Sequence, residues 1–366
     1  MAKSTSEQLT FILNSISKIA AIHDQDKLLV ALAEMGRDIV SAQRCSIWIW
    51  NRRKRKLWTK VAQGVDPIII DDNIGLVGSV IHSREALIVN NVQEDERFNA
   101  DVDQRTGFST QSMIIIPMLN NNDKVIGAIQ VINKKESTGF KESDITHLTL
   151  VSTYVAESIK SMIIKEEIKE TQKELIHILG ITSESRSGET AAHVKRVTEY
   201  SGLLATLYGL SEQECTILKN ASPMHDIGKV GIPDSILKKP GKLTYDEMEI
   251  MKEHTTIGHN ILKYSKLSII QAAAILAHEH HEKYDGSGYP RGLKGEEIHI
   301  YGRITAIADV FDALSSSRVY KDTWQDQEII AYIKKESGKH FDQKLVKIFL
   351  DHIDSFIEIR RRVKDA

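Results

Sequence analysis

The residue pattern of the sequence changes from strand-forming to helix-forming near residue 143, and this change limits what the chain can fold into. Segments rich in β-branched and aromatic residues occur before that point, and beyond residue 185 helical patterns dominate. An α+β unit followed by a mostly α-helical unit is therefore predicted. The predicted strands are residues 46–50, 57–62, 86–90, 112–119 and 125–133, and helices are predicted at about 5–22, at 26–41 and from about 143.

A long helix is predicted between the two units. No proline occurs from residue 145 to about residue 179, and the segment 165–170 is too polar to be buried within one domain. Apolar residues recur in steps of three and four at Leu148, Val151, Val155, Ile159 and Met162. This stripe favours a linker helix that pairs with a second copy of the chain in a homodimer, and packing against its own domain is the alternative. We interpret the chain as an N-terminal domain (1–144), a linker helix (145–180) and a C-terminal domain (181–366).

Charge and cysteine content exclude several functions. The 48 Lys and Arg residues are balanced by 50 Asp and Glu residues, which removes the basic surface expected of a general nucleic-acid binder. Cys45 and Cys215 are too few for a disulfide framework and favour a reducing compartment. The N-terminus lacks a signal-peptide pattern, and the longest apolar run, residues 113–119, is far shorter than the ~20 residues that span a bilayer. We expect a cytoplasmic protein without membrane insertion.

Histidine is concentrated in the C-terminal domain, often beside carboxylates. Imidazole is the commonest protein ligand for transition metals. Glu189 and His193 stand four residues apart, which places both on one face of a helix. Asp309 and Asp312 share a face in the same way. Seven of the 14 histidines lie within one stretch: His193, His225, His254, His259, His278, His280 and His281.

The apolar segments next to these histidines and carboxylates favour metal binding by the group as a whole. A single helical histidine more often has a structural role. However, Asp226 and Asp309 lie close to apolar segments, and burial of several charges there is costly unless they meet a cation. Lys229 follows Asp226 by three residues, so it either contacts an anionic substrate or forms an ion pair with Asp226.

The C-terminal domain resembles an HD-GYP domain, the bacterial subclass of the HD superfamily. The resemblance covers about 160 residues, with the motifs in the family's order. The Gly288-Tyr289-Pro290 segment selects the subclass, since other HD phosphohydrolases lack it. The motifs are HxxR at His193–Arg196, HDIGK at His225–Lys229, IPD at Ile232–Asp234, KPGKL at Lys239–Leu243, HHEKYDGSGYP at His280–Pro290 and ADVFDAL at Ala308–Leu314.

This resemblance implies a helical-bundle fold and metal-dependent hydrolysis of the second messenger cyclic di-GMP. The products would be linear pGpG and, in many members, GMP. The implied cofactor is iron, with manganese as a frequent substitute, and His and carboxylate donors suit both metals. The implied number of ions is two or three, and three is favoured. The implied metal ligands are Glu189, which accompanies a third metal in part of the family, and His193, His225, Asp226, His254, His280, His281 and Asp309.

The resemblance also implies roles around the metal ligands. Asp226 would bridge two metals, and a water between two cations would be the nucleophile. Asp312 would orient a neighbouring side chain. Tyr289 would reach the rim of the site or act as a structural plug. The implied substrate contacts are Lys229, Tyr289, Arg318 and Lys321.

Two departures from the family pattern affect the substrate rim. Val319 stands where the family usually has proline, and residues 299–302 replace a more usual IPLxA run. His259 and His278 match no ligand position, so we assign them a structural role.

The N-terminal domain resembles a GAF domain, a small-molecule sensor fold, over about residues 20–160. The cues are NIGLVGSVIHSREALIVNNVQEDERF, STQSMIIIPML and VIGAIQVINKKESTGF. Asn133, Lys134, Phe140 and Asp144 partly match members that bind cyclic nucleotides. An unidentified small ligand is one hypothesis, and a purely structural role for these residues is the other.

The resulting prediction is a phosphodiesterase regulated by its GAF domain through the linker helix. A non-catalytic receptor for cyclic di-GMP is the first alternative, and the complete set of implied ligands argues against it. An HD nucleotidase that acts on mononucleotides is the second, and the GYP segment argues against that.

Overall fold

The computed structural model describes residues 19, 22, 24–61, 68–120, 122–315 and 324–364. It divides the chain into two compact units, Met1–Ile168 and Lys169–Ala366. Among the described residues, no helix has both the length and the apolar content required to cross a membrane.

The first unit is built on a six-stranded sheet. Every neighbouring pair of strands is antiparallel, and the strand order is β3-β2-β1-β6-β5-β4. The strands are β1 (Ala42–Asn51), β2 (Lys56–Val61), β3 (Ile69–Asp71), β4 (Leu87–Val89), β5 (Met113–Leu119) and β6 (Val125–Lys134). The helices of this unit are α1 (Gln25–Ile39), α2 (Gly75–Ser83), α3 (Asp101–Thr106) and the first part of α4 (Glu142–Ser185).

Both faces of this sheet are buried. Ile47 and Ile129 pair across β1 and β6 and belong to a core shared with α1 and α4. Trp48 and Ala128 form the next pair and belong to the core beneath α2. Because successive side chains of a strand point to opposite faces, a strand covered on both faces is apolar along its whole length. This explains the run MIIIPML in β5.

The five strands predicted from the sequence are present, and the first unit is confirmed as α+β. Three elements were missed: β3 has only three residues, α2 contains two glycines, and α3 has only six residues. Gly78 is required in α2, because a Cβ at this position would lie 2.8 Å from the Asp72 carbonyl oxygen. The predicted helix at about 5–22 falls largely outside the described residues.

The predicted long helix is confirmed as α4, which has 44 residues. It begins three residues before the predicted start and ends five residues after the predicted end. Leu148, Val151, Val155 and Ile159 are buried in the core of the first unit, and Met162 packs against it. The prediction that this stripe pairs with a second copy is therefore wrong, and the alternative, packing against its own domain, is correct. Further along, apolar side chains are exposed at Ile163, Ile164, Ile168, Leu175, Ile178 and Leu179.

The second unit is mostly helical, as predicted. Its described residues include helices and one isolated bridge between Ser337 and Phe341. The helices are the end of α4, α5 (Ala191–Tyr208), α6 (Glu212–Ala221), α7 (Asp234–Leu237), α8 (Tyr245–Leu262), α9 (Ser268–Glu279), α10 (Ile300–Ser315), α11 (Asp326–Lys335), α12 (Gln343–Asp351) and α13 (Ile353–Arg362). Short 3₁₀ helices occur at Ser222–Met224 and Ile227–Gly231.

An aromatic cluster fixes the helices of the second unit against one another. Phe311 of α10 packs edge-on against Tyr200 of α5 and Phe349 of α12, with ring centroids 5.1 and 5.2 Å apart. Phe356 of α13 packs against Phe349 at 4.7 Å. Close packing of this kind leaves little room for adjustment, so α5 and α10 hold their metal-binding faces in fixed positions.

Candidate metal centre

Two groups of buried metal-ligating side chains lie in the second unit. Within each group the donor atoms all lie within 4.8 Å of one another. The first group is Asp226, His254, His280 and His281, and the second group is Glu184, His193 and His225. These residues come from the ends of α4 and α9, from α5 and α8, and from the segment between the two 3₁₀ helices.

The first group converges on one carboxylate oxygen. Oδ1 of Asp226 lies 3.1 Å from Nε2 of His254 and 3.4 Å from Nε2 of His280. The two Nε2 atoms are 3.5 Å apart. The His281 ring stands edge-on to the His254 ring, with centroids 5.1 Å apart.

The second group lies beside Asp309 of α10. Nε2 of His193 is 4.0 Å from Oε1 of Glu184 and 3.9 Å from Oδ1 of Asp309. Nε2 of His225 is 3.7 Å from the same Glu184 oxygen and 4.0 Å from the same Asp309 oxygen. His225 Nε2 is also 3.4 Å from Oδ2 of Asp226, so the two groups are adjacent.

Outward hydrogen bonds orient the imidazoles. Nδ1 of His225, His254 and His280 lies 2.9, 2.7 and 2.8 Å from the carbonyl oxygens of Ser222, Met251 and Leu276. Nδ1 therefore carries the proton and donates it to the backbone, so each Nε2 presents a lone pair towards the centre. In His193 the partner of Nδ1 is a carboxylate, Oδ2 of Asp312, at 2.8 Å.

The electrostatics of the centre favour a cation. Burial lowers the pKa of His280, and it lowers the pKa of His281 well below its usual range, so both rings are neutral and able to bind a metal. Burial alone would also lower the pKa of His225, but the Asp226 charge, with Asp309 and Glu184, raises it to about 10. The carboxylates around His225 thus stabilise a positive charge on its protonated imidazole. A metal ion bound to Nε2 would take the place of that proton and would be stabilised in the same way.

Three donor atoms of the centre are buried without a hydrogen-bond partner: Oε1 of Glu184, Nε2 of His225 and Oδ1 of Asp226. A buried polar atom without a partner costs about 1–3 kcal/mol. Oxygen and nitrogen donors of this type suit a divalent transition metal, and coordination would satisfy all three atoms. The residues present therefore fit a divalent metal centre.

The structure gathers most of the predicted metal ligands. Asp309 lies beside the second group although it is not a member, whereas Glu189 is half-buried and belongs to neither group. Its ligand role stays a prediction. Glu184, five residues earlier, was missed; it lies at the end of the long helix and makes no short-spacing motif with a histidine.

Lys229 forms two ion pairs at the centre. Its Nζ lies 2.7 Å from Oδ2 of Asp226 and 2.9 Å from Oε2 of Glu184. Burial opposes the charge on Lys229, but the two carboxylates together raise its pKa above the usual range. The ion pair with Asp226, which the sequence left open, is therefore present, and Lys229 is held as a cation next to the donor groups.

Tyr289 lies at the edge of the first group. Its ring stacks on His281 with centroids 4.9 Å apart, and Nζ of Lys252 lies 5.4 Å from the centroid of the tyrosine ring. The other predicted substrate contacts, Arg318 and Lys321, fall outside the described residues.

His259 and His278 form a separate stacked pair, with ring centroids 4.2 Å apart. Neither belongs to a donor group among the described residues.

The first unit contains a cavity above the sheet. Its empty volume is about 860 Å³, part of which is open to solvent, and its lining is mainly apolar. The lining includes Trp48, Phe98, Phe108, Leu76, Arg44 and Gln130. The four residues of the cyclic-nucleotide pattern are not among the lining residues; Lys134 and Asp144 instead form an ion pair of 2.7 Å.

The sheet unit and the histidine-lined helical unit together define a sensor-type domain joined to a metallohydrolase-type domain. Comparison with known families makes this specific: residues 24–159 match the GAF domain model, and residues 174–345 match the HD domain model. The chain therefore carries a GAF domain followed by an HD domain, and its GYP segment, with the curated relatives described next, supports an HD-GYP protein.

Curated relatives align with part of the chain. A 3′3′-cGAMP-specific phosphodiesterase 2 of Vibrio cholerae is 53% identical over 54% of this chain and 38% of its own length. A cyclic di-GMP phosphodiesterase response regulator of Xanthomonas campestris is 47% identical over 50% of this chain and 49% of its own length. A cyclic di-GMP phosphodiesterase of Thermotoga maritima is 48% identical over 52% of each chain. The matches thus span about half the length of these relatives or less.

Proposed function

We propose that the chain hydrolyses cyclic di-GMP to linear pGpG and on to GMP. The observation that carries this proposal is the pair of adjacent donor groups, in which buried histidines and carboxylates converge and a buried lysine lies alongside. The names of two of the relatives described above support the choice of substrate.

The residues of the centre have distinct roles in this reaction. Divalent metal ions held by the two donor groups would stabilise the charge on the phosphodiester and make a nearby water more acidic. Asp226 has one carboxylate oxygen next to each group, which suits a shared ligand. Lys229, fixed as a cation by two carboxylates, would donate a hydrogen bond to a phosphate oxygen and stabilise the developing negative charge.

Tyr289 supplies an aromatic surface at the edge of the centre. Stacked on His281, its ring is held in place, and purine bases stack readily on aromatic rings. Arg318 and Lys321 remain predicted substrate contacts, since Arg presents a planar fork suited to phosphate or guanine.

A second substrate has specific support. The relative with 53% identity is named for 3′3′-cGAMP, which is also a cyclic dinucleotide with two phosphodiester bonds. The metal centre acts on the phosphodiester and not on the base, so discrimination between the two substrates depends on the rim. The receptor alternative is less well supported, because the donor groups are complete.

The metal is proposed to be iron, with manganese as a substitute. Five histidines and two or more carboxylates form the centre, and softer thiolate ligands are absent from the two donor groups. Three ions remain favoured over two, and Glu189 remains a predicted ligand of the third.

Regulation is proposed to start in the GAF domain. A mainly apolar lining with a few polar groups such as Arg44 and Gln130 is typical of a small-molecule site. The stripe from Leu148 to Met162 is covered by the first unit, so the proposed homodimer rests instead on the apolar residues exposed further along α4, which helix pairing would cover. A cytoplasmic location stays a prediction from the cysteine content.

Product analysis tests the proposed function. Anaerobically purified, iron-loaded protein is incubated with cyclic di-GMP or with 3′3′-cGAMP, the products are separated by chromatography, and metal content is measured on the same sample. We expect pGpG and GMP from cyclic di-GMP. Intact substrate after incubation with metal-loaded protein would favour the receptor alternative, and faster hydrolysis of 3′3′-cGAMP would reassign the substrate.

Two histidine variants provide a matched comparison for that assay. His280→Ala removes a ligand of the first group, so metal content and turnover should both fall, turnover by more than about 100-fold. His278→Ala removes a ring of the separate stacked pair and should retain both.

A further inference from the structure

We infer that Glu184 is a metal ligand of the second group and, through its other oxygen, the residue that holds Lys229 in place. This inference rests on the proposed metal centre and adds a residue to it. Glu184 is fully buried. Its two carboxylate oxygens face different partners, and separate contacts support the role of each oxygen.

The Oε1 atom faces the histidines of the second group. It is buried without a hydrogen-bond partner and lies 3.7 and 4.0 Å from Nε2 of His225 and His193. Metal–ligand bonds of about 2.0–2.2 Å place two donors of one ion about 3–4 Å apart. Both distances from Oε1 therefore fit donors to a shared ion, whereas Oε1 is too far from either Nε2 atom for a hydrogen bond.

The Oε2 atom faces Lys229. It accepts a hydrogen bond from Lys229 Nζ at 2.9 Å and another from the Ser187 hydroxyl at 3.1 Å. A lysine side chain has four rotatable bonds, so a single ion pair with Asp226 would leave it mobile. The second carboxylate fixes the ammonium between the two donor groups.

Additional hydrogen bonds fix the end of α4 to the HDIGK segment. The Ser183 hydroxyl donates to the Asp226 carbonyl oxygen at 3.0 Å. The Arg186 guanidinium donates to the carbonyl oxygens of Lys229, Val230 and Ile232. The helix end that carries Glu184 is therefore attached on both sides of that residue, and its carboxylate has a defined position relative to His225 and Asp226.

Metal analysis of Glu184→Gln tests this inference without relying on activity. The change preserves shape and removes the charge. We expect the purified variant to lose about one metal equivalent relative to the wild type while it keeps the ions of the first group, and to regain it only at Mn²⁺ concentrations about 10–100-fold higher. A variant that keeps the wild-type metal content and Mn²⁺ affinity would overturn the inference.

Two further variants keep the test specific. Ser187→Ala removes the neighbouring hydroxyl, which hydrogen-bonds Oε2 but belongs to neither donor group, and should keep the full metal content. Glu184→Asp keeps the charge on a shorter side chain and should retain more metal than Glu184→Gln. Equal losses in Glu184→Asp, Glu184→Gln and Ser187→Ala would indicate a structural role and contradict the inference. A wild-type protein without metal would instead count against the proposed function.

Discussion

At the scale of single residues, the metal centre includes contacts between side chains that the spacing of residues in the sequence does not reveal. The family motifs supplied most of the predicted ligands, and the structure brings these residues together although they are far apart in the sequence. Glu184 could not be predicted in the same way. Its role depends on how the end of α4 packs against a segment about 40 residues further along the chain, and this contact is tertiary.

Asp312 is the clearest residue to test next to the ligands. It accepts hydrogen bonds from Arg196 Nε at 2.6 Å and from His193 Nδ1 at 2.8 Å. In Asp312→Asn the imidazole loses its charged partner, so we expect metal affinity to fall about 10–100-fold. Isothermal titration of apo protein with Mn²⁺ measures this change. The control is Asp326→Asn, which breaks a more exposed ion pair with Arg360 and should leave the metal affinity unchanged. Equal metal affinities for Asp312→Asn and the wild type would refute the orienting role of Asp312.

His340 gives a prediction about stability and pH. Its ring stacks on Phe341 with centroids 4.2 Å apart, and burial, with the Lys283 charge, lowers its pKa to about 4. The unfolded chain therefore binds a proton below about pH 6.5 while the folded chain does not, and stability is lost as pH falls from about 6.5 to 4.

His340→Phe removes this titration and retains the stacking. Its free energy of unfolding should depend less on pH than that of the wild type, by about 1–3 kcal/mol between pH 7 and pH 4. Urea unfolding monitored by circular dichroism at several pH values measures this difference. Parallel pH profiles for the two proteins would show that His340 does not contribute.

At the scale of secondary-structure elements, strong periodic patterns were predicted and short elements were not. The 44-residue helix and four of the five predicted strands have several residues in phase, so their patterns are clear, whereas the fifth, β4, is as short as β3. β3 and α2 are determined by packing against neighbours, and α2 begins at Gly75, whose φ is 73°. A positive φ of this kind suits glycine, but glycine in a sequence does not by itself indicate a helix start.

The exposed face of α4 gives a prediction about oligomeric state. Ile164, Ile168, Leu175 and Ile178 lie on one face at spacings that fit a heptad, and each is at least 44% exposed. In the double variant Ile168→Glu, Leu175→Glu, two charges would face the paired helix, so we expect the dimer to dissociate to the 41.2 kDa chain. Size-exclusion chromatography with light scattering measures the mass.

A second exposed isoleucine serves as the control for this variant. Ile261 lies on α8 and is 52% exposed, so Ile261→Glu should retain the wild-type mass. A wild-type protein that runs as a monomer at micromolar concentration would contradict pairing through α4.

At the scale of the whole molecule, the order of the two units along the chain could be predicted because one has strand patterns and the other has helical patterns. Strand patterns are distinct from a continuous helical pattern, and the histidine-rich stretch 193–281 falls in only one of the two units. The content of the GAF cavity could not be predicted, since its lining comes from strands, helices and loops between residues 44 and 132. Lys134 and Asp144 of the partly matching pattern instead link the end of β6 to the start of α4.

Removal of the first unit tests the proposed regulation. A variant that lacks residues 1–140 retains the whole of α4, so it should still dimerise. We expect its rate of cyclic di-GMP hydrolysis to differ from that of the full chain by at least about 3-fold, measured at saturating metal. An unchanged rate in a still-dimeric protein would refute control by the GAF domain.

The donors of the proposed metal centre are spread along the chain, with about 30 residues between successive single donors or adjacent donor pairs from His193 to Asp309. Each ion therefore acts as a removable cross-link that closes several loops of the folded chain. A ligand that binds only the folded state adds stability in proportion to the logarithm of its concentration. The amount of intact enzyme in a cell would consequently follow the supply of its metal, because chains that fail to load unfold more often and are exposed to proteases. Metal starvation would then slow breakdown of the messenger in two ways, through lost catalysis and through lost protein.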